Sequence, residues 1–192
     1  IFTSSAPLDI RADMLYSASQ NNWVNHTAGN VSILPAATQF RAMPYIYTRM
    51  FGIGALTVGT DNNPSQQVRL HGEVYGSGPH RIYGGIVEVY GPIRATAPEA
   101  EILLKSSREI YVYDLSPGGG LFTNNGDITL WSGTANVATD NSFIRVNDGV
   151  NIISALPATS AISASNVVYQ LPGNFRTATD GGDTVSYTHL TL

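Results

Sequence analysis

The side chains able to do chemistry are thinly spread in this sequence. Fourteen carboxylates stand against ten basic residues, of which only Lys105 is a lysine. Two carboxylate pairs, Asp114 with Asp127 and Glu88 with Glu109, are conceivable partners across a sugar bond, where the two groups must lie about 5 to 9.5 Å apart. The pattern around each favours a structural role. Asp127 follows Gly126 at a turn into a strand, Asp114 ends a strand, and Glu88 points outward opposite Val87 and Val89. No catalytic residue is assigned from them.

The four histidines, His26, His71, His80 and His189, lack metal-ligand spacing and are expected at turns or on the surface. Cysteine is absent, which removes disulfides, thiol catalysis and the usual zinc and iron–sulfur sites. No serine sits in Gly-x-Ser-x-Gly, and Gly118-Gly119-Gly120 lacks the Lys and Ser/Thr of a phosphate loop. The calcium-like run Asp180 to Thr184 occurs once, so no metal and no cofactor is expected. The formal net charge of −4 without any basic run argues against nucleic acid. Aromatic residues are the better candidates for binding. Tyr83, Tyr90, Tyr111, Tyr113 and Trp131 fall in or beside apolar triplets, where a ladder of rings on an outer face would meet sugars or a partner. The competing expectation is that they pack over corners.

The elements that must carry these residues are short strands. Ile128-Thr129-Leu130, Ile144-Arg145-Val146 and Val150-Asn151-Ile152 put two aliphatics on one face and a polar residue on the other, the period-2 pattern of half-buried strands. The same rhythm runs through Leu56 to Val58, Val68 to Leu70, Ile82-Tyr83, Ile86 to Tyr90, Ile93 to Ala95, Ile102 to Leu104 and Ile110 to Val112. Residues 1–51 are less regular: Leu8 to Ile10 and Val31 to Ile33 alternate, and Met14 to Ala18 extends the first. Asn21 to His26 reads as a loop, and Gln39 to Phe51 as an excursion from the core. Val167 to Tyr169 is the last expected strand. With 192 residues and no composition break, one domain over 1–184 is expected. No apolar run is long enough to span a membrane as a helix.

Ile86 to Ile110, Ile93 to Leu121 and Ile102 to Ile128 recur at about 24 to 28 residues, with turns and no helical pattern between them. This predicts an all-β fold: a right-handed parallel β-helix, a three-sided solenoid of about six or seven coils. The alternative is an antiparallel β-sandwich, in which Asn147-Asp148-Gly149 closes a hairpin between Ile144–Val146 and Val150–Ile152.

The phrases GIGALTVG (52–59), RIYGGIVEVYGPIRA (81–95), AEILLKSSREIYV (100–112) and NNGDITLWS (124–132) resemble the repeats of large bacterial surface adhesins. These are the filamentous-haemagglutinin-like exoproteins of two-partner secretion and the autotransporter passenger domains. The resemblance implies a structural and adhesive segment of an exported protein, secreted or held at the cell surface. It implies no catalytic site, and partners that are a host or environmental surface, with carbohydrate as one candidate, together with neighbouring repeats of a longer chain. The other reading is a β-helical polysaccharide-degrading enzyme or a phage tailspike-like carbohydrate-binding protein. Against the enzyme, the polygalacturonase-like set Asn-x-Asp, Asp-Asp, Gly-His-Gly and Arg-x-Lys is absent, and His71-Gly72 is only a fragment of it. Residues 185–192, VSYTHLTL, resemble a translated sequencing-adapter tail and are set aside as non-native; with Ile1 in place of Met, an internal fragment is expected.

Overall fold

The structure is a computed structural model. It describes residues 2–12, 14–16, 23–26, 29–37, 40, 43–61, 67–113, 118–133, 143–147, 149–154 and 175–179. Every regular element among them is a strand: β1 (Phe2–Ser4), β2 (Leu8–Arg11), β3 (Trp23–His26), β4 (Val31–Leu34), β5 (Tyr45–Ile46), β6 (Arg49–Ile53), β7 (Leu56–Val58), β8 (Gln67–Leu70) and β9 (Val74–Gly76). Then come β10 (His80–Val89), β11 (Ile93–Pro98), β12 (Ile102–Val112), β13 (Gly120–Asn124), β14 (Ile128–Ser132), β15 (Phe143–Val146), β16 (Asn151–Ser154) and β17 (Phe175–Thr179).

The strands form two sheets, and each pairing among the described residues is parallel. The smaller sheet runs β1-β3-β6-β9-β11-β13-β16. The larger one holds two ladders that share its long strands. β2, β4, β7, the first half of β10, the first half of β12, β14 and β17 make one ladder. β5, β8, the second halves of β10 and β12, and β15 make the other. The chain visits first ladder, second ladder and smaller sheet in that order, then begins again.

The antiparallel alternative is not what these strands form. β15 pairs with β12 and β16 with β13, so the segments on either side of Asn147 lie in different sheets and make no hairpin. A parallel neighbour satisfies the backbone of each, and Asn147 N–H donates to Val112 O at 3.0 Å, back to the preceding passage.

Alternation along the strands fills the interior with aliphatic columns. Val31, Leu56, His80, Ile102 and Ile128 are successive register partners, as are Ile33, Val58, Ile82, Leu104 and Leu130; all are buried. Val68, Val87, Ile110 and Ile144 line the second ladder, and Met50, Val74, Ile93, Leu121 and Ile152 the smaller sheet. Full burial of such a side chain contributes about 1.5 to 3 kcal/mol, which makes these columns the main source of cohesion.

A bulge joins the two halves of β10 and β12, because β12 carries Ser107 and Arg108 where β10 has only Gly85. Ser106 and Ser107 both turn inward there, and the Ser106 hydroxyl donates to Gly85 O at 2.6 Å. The inserted residue moves the expected equivalence of Ile86 and Ile110 by one: Val87 is the partner of Ile110, and Ile86 faces Glu109. Ile93 with Leu121 and Ile102 with Ile128 are register partners as expected. Ile82-Tyr83 and Ile86–Tyr90, expected as separate strands, fall largely within β10.

The less regular beginning joins the same ladders. Trp23–His26, expected as a loop, is β3 and pairs with β1 and β6. The segment 39–51, expected as an excursion, contributes Phe40, Ile46 and Met50 to the core. Met14 to Tyr16 do not extend β2; Tyr16 makes an isolated parallel bridge to Tyr45. The expected strand Val167–Tyr169, residues 185–192, the run 180–184, Asp114 and His189 lie outside the described residues.

Candidate functional site: outward columns of stacked side chains

Parallel strands in register place equivalent outward residues about 4.8 Å apart, close to the separation of two stacked rings. The residue after four of the five strands of the second ladder, β5, β8, β10 and β12, exploits this. Tyr47 follows Ile46, His71 follows Leu70, Tyr90 follows Val89 and Tyr113 follows Val112. Their rings form one column: Tyr47 to His71 at 4.3 Å and 12°, His71 to Tyr90 at 4.1 Å and 4°, Tyr90 to Tyr113 at 4.5 Å and 9°.

The adjoining corner sets these short distances. Gly72 and Gly91 come next in chain after His71 and Tyr90. A Cβ on Gly72 would lie 2.0 Å from Thr48 O, and one on Gly91 2.5 Å from Gly72 O. Only residues without side chains let the passages turn so close together.

A second column lies two residues back along the strands, where Tyr45, Arg69, Glu88, Tyr111 and Arg145 are successive register partners. The Arg69 guanidinium donates to the Tyr45 hydroxyl at 2.6 Å and forms a close ion pair with Glu88. Gln67 also donates to Glu88, at 2.7 Å, and the Tyr111 hydroxyl donates to Glu109 at 2.9 Å. Glu88 does point outward, as its alternation implies, yet it is almost fully covered by these partners. Burial and then the nearby Glu88 carboxylate push the Tyr90 hydroxyl up to about 12. Burial and the hydrogen bond to Glu109 do the same for Tyr111. Both phenols therefore keep their protons at neutral pH.

The five aromatic candidates from the sequence divide between two faces. Tyr90, Tyr111 and Tyr113 come together here, with Tyr111 and Tyr113 at 5.7 Å. Tyr83 and Trp131 lie on the first ladder, with Lys105 as the register partner of both. The Lys105 ammonium sits 4.3 Å from the Trp131 ring centroid and 2.6 Å from an Asp61 oxygen. A third column, on the smaller sheet, runs Phe51, Tyr75, Arg94, Phe122. There the Arg94 guanidinium lies between two rings, 5.4 Å from Tyr75 and 3.8 Å from Phe122.

The histidines are placed differently from expectation. His80 is no surface residue: it is fully buried, in an aliphatic column. His71 stands in the ring stack, where burial and then Arg69 hold its imidazole below the ordinary value. His26 lies in β3. Asp127 precedes β14, and its carbonyl accepts from Ile102 N–H at 2.9 Å. Among the described residues no cluster of three or more His, Cys, Asp or Glu could hold a metal ion. No helix long and apolar enough to cross a membrane occurs among the described residues.

Sequence reasoning missed Tyr45, Tyr47 and His71 in the stack, and Arg69 as the ion-pair partner. The signal was present: each stacked ring comes directly after the last aliphatic residue of a second-ladder strand. It was hidden because the connections between those strands differ in length. No protein-family model, curated protein or solved structure matches the chain.

Proposed function

We propose that the chain is a segment of a right-handed, three-sided parallel β-helix that serves as a structural and adhesive part of an exported bacterial surface protein. The observation that carries this is the repeated visit of the chain to three parallel ladders, with outward side chains stacked in columns along them. Right-handedness follows the general rule for parallel crossovers in one sheet. A column of this kind extends by adding passages, which suits a stalk that holds a binding surface away from a cell. The carboxylates support a scaffold over an enzyme: Glu88 is occupied by Arg69 and Gln67, and Glu109 by Tyr111.

The face carrying Tyr47, His71, Tyr90, Tyr113 and the Tyr45–Arg145 column is the adhesive one. Because the rings stack on each other, it offers ring edges and protonated hydroxyls to a partner, a surface suited to polar, hydroxyl-rich material such as carbohydrate. The test is retention of the purified chain on a panel of immobilised polysaccharides and on cells. Replacing Tyr90 and Tyr113 together by alanine should abolish retention while the far-ultraviolet spectrum stays β-rich. Equal retention of the double variant contradicts the assignment of this face. Release of reducing ends from any of the polysaccharides contradicts the non-enzymatic reading.

A further inference from the structure

His80 places an imidazole in the aliphatic interior, in the column position held by Leu56 before it and Ile102 after it. Its two nitrogens engage backbone groups of different sheets. Leu56 N–H donates to Nδ1 at 3.1 Å, and Nε2 lies 3.1 Å from Arg94 O. An amide can only donate, so Nδ1 must be bare, and the proton is on Nε2 and directed at the Arg94 carbonyl. Gly76 makes room for the ring, since a Cβ there would stand 2.8 Å from His80 Cε1.

We propose that His80 is an acid-sensitive latch, tying the first ladder to the smaller sheet across the interior. Protonation releases this passage while the passages before and after it stay closed. The added proton on Nδ1 would point at the Leu56 N–H, turning a hydrogen bond into a donor facing a donor. Among the described residues no charged side chain offsets it. Arg81 and Glu101, the nearest charged residues along β10 and before β12, pair with each other at 2.8 Å on the outside. On β11, the Arg94 guanidinium lies over Phe122, while β7 and β9 present no ionisable side chain to the ring.

Burial, only partly offset by backbone hydrogen bonds to Arg94 and Gly76 that favour the charged ring, pulls the imidazole down from its ordinary 6.5 to about 4. The closed passage is therefore favoured above pH 6.5, and that advantage is lost as the pH falls toward 4. Between pH 7 and pH 5 the open form gains about 20-fold, because the released ring takes up a proton over this range and the closed one scarcely does.

Amide hydrogen exchange on the intact chain tests this, with rates corrected for the intrinsic effect of pH. Leu56 should lose about 20-fold protection between pH 7 and pH 5 relative to Val31 and Ile102, whose amides donate to Ala55 O and Asp127 O. The His80 ring should titrate well below 6.5 by NMR. His80→Gln, which cannot be protonated, should make Leu56 exchange independent of pH; if that variant does not fold, the wild-type comparison decides alone. Equal loss at all three amides, no loss at Leu56, or a His80 midpoint near its ordinary value would each overturn the proposal.

Discussion

The corner column Tyr47–His71–Tyr90–Tyr113 and the face column Phe51–Tyr75–Arg94–Phe122 arise from the same in-register repetition, yet they pack differently. In the corner column consecutive rings are 4.1 to 4.5 Å apart and nearly parallel. On the smaller sheet, Phe51 and Tyr75 are 5.0 Å apart at 21°, and the third place is taken by a guanidinium. Backbone causes the difference. Gly72 and Gly91 let the corner close until ring meets ring, whereas strands on a flat sheet keep their ordinary separation and accept an Arg between aromatics. Spacing along the column is set by the next residue in the chain as much as by the ring itself.

The sharpest way to break this contrast is at the glycine. Gly72→Ala puts a methyl group where only 2.0 Å separates it from Thr48 O, so the backbone must move. A loss of roughly 3 kcal/mol or more in urea unfolding is expected. Gly118→Ala is the control: its Cβ would meet nothing within 4 Å and only the positive φ of 82° opposes it, at a cost of about 1 kcal/mol.

Next in size, His71→Ala removes a ring stacked on both sides and should cost about 1 to 3 kcal/mol, from two aromatic contacts. Arg94→Ala on the face column should cost less, about 0.5 to 2 kcal/mol, for the lost cation–π contacts. Equal losses in thermal unfolding would mean that the corner geometry adds nothing. The smallest effect is expected for Tyr90→Phe, which keeps the stack and removes one hydroxyl, within about 1 kcal/mol and with the near-ultraviolet spectrum preserved.

These differences also explain what could be read from the sequence. The aliphatic triplets marked the strands because their alternation is local, and Ile93 with Leu121 and Ile102 with Ile128 emerged as partners because turns of similar size intervene. Ile86 and Ile110 were misaligned by one residue because the extra residue beside Ser107 sits inside a continuous strand and leaves no Gly or Pro mark in β12. The three asparagines of Asn21–His26 point to a loop, yet Trp23–His26 pairs in parallel on both sides, and that pairing overrides the weak strand propensity of asparagine. His80 was hidden for another reason. Nothing local distinguishes a histidine at a turn from one whose two ring nitrogens are satisfied by residues 24 and 14 positions away.

Successive passages of the chain stack in parallel, and Arg145 is the residue at which that stacking is best measured. In the parallel column its partner is Tyr111, whereas a hairpin closed by Asn147–Gly149 would pair it with Asn151. The chain has no cysteine, so two double variants can be compared cleanly: Arg145→Cys with Tyr111→Cys, and Arg145→Cys with Asn151→Cys. Neighbouring parallel strands stand about 4.8 Å apart, inside the range a disulfide spans. Mild oxidation should cross-link the first pair and leave the second as free thiols, read by mass spectrometry after proteolysis. Cross-linking of the second pair with the first left reduced would contradict the parallel column.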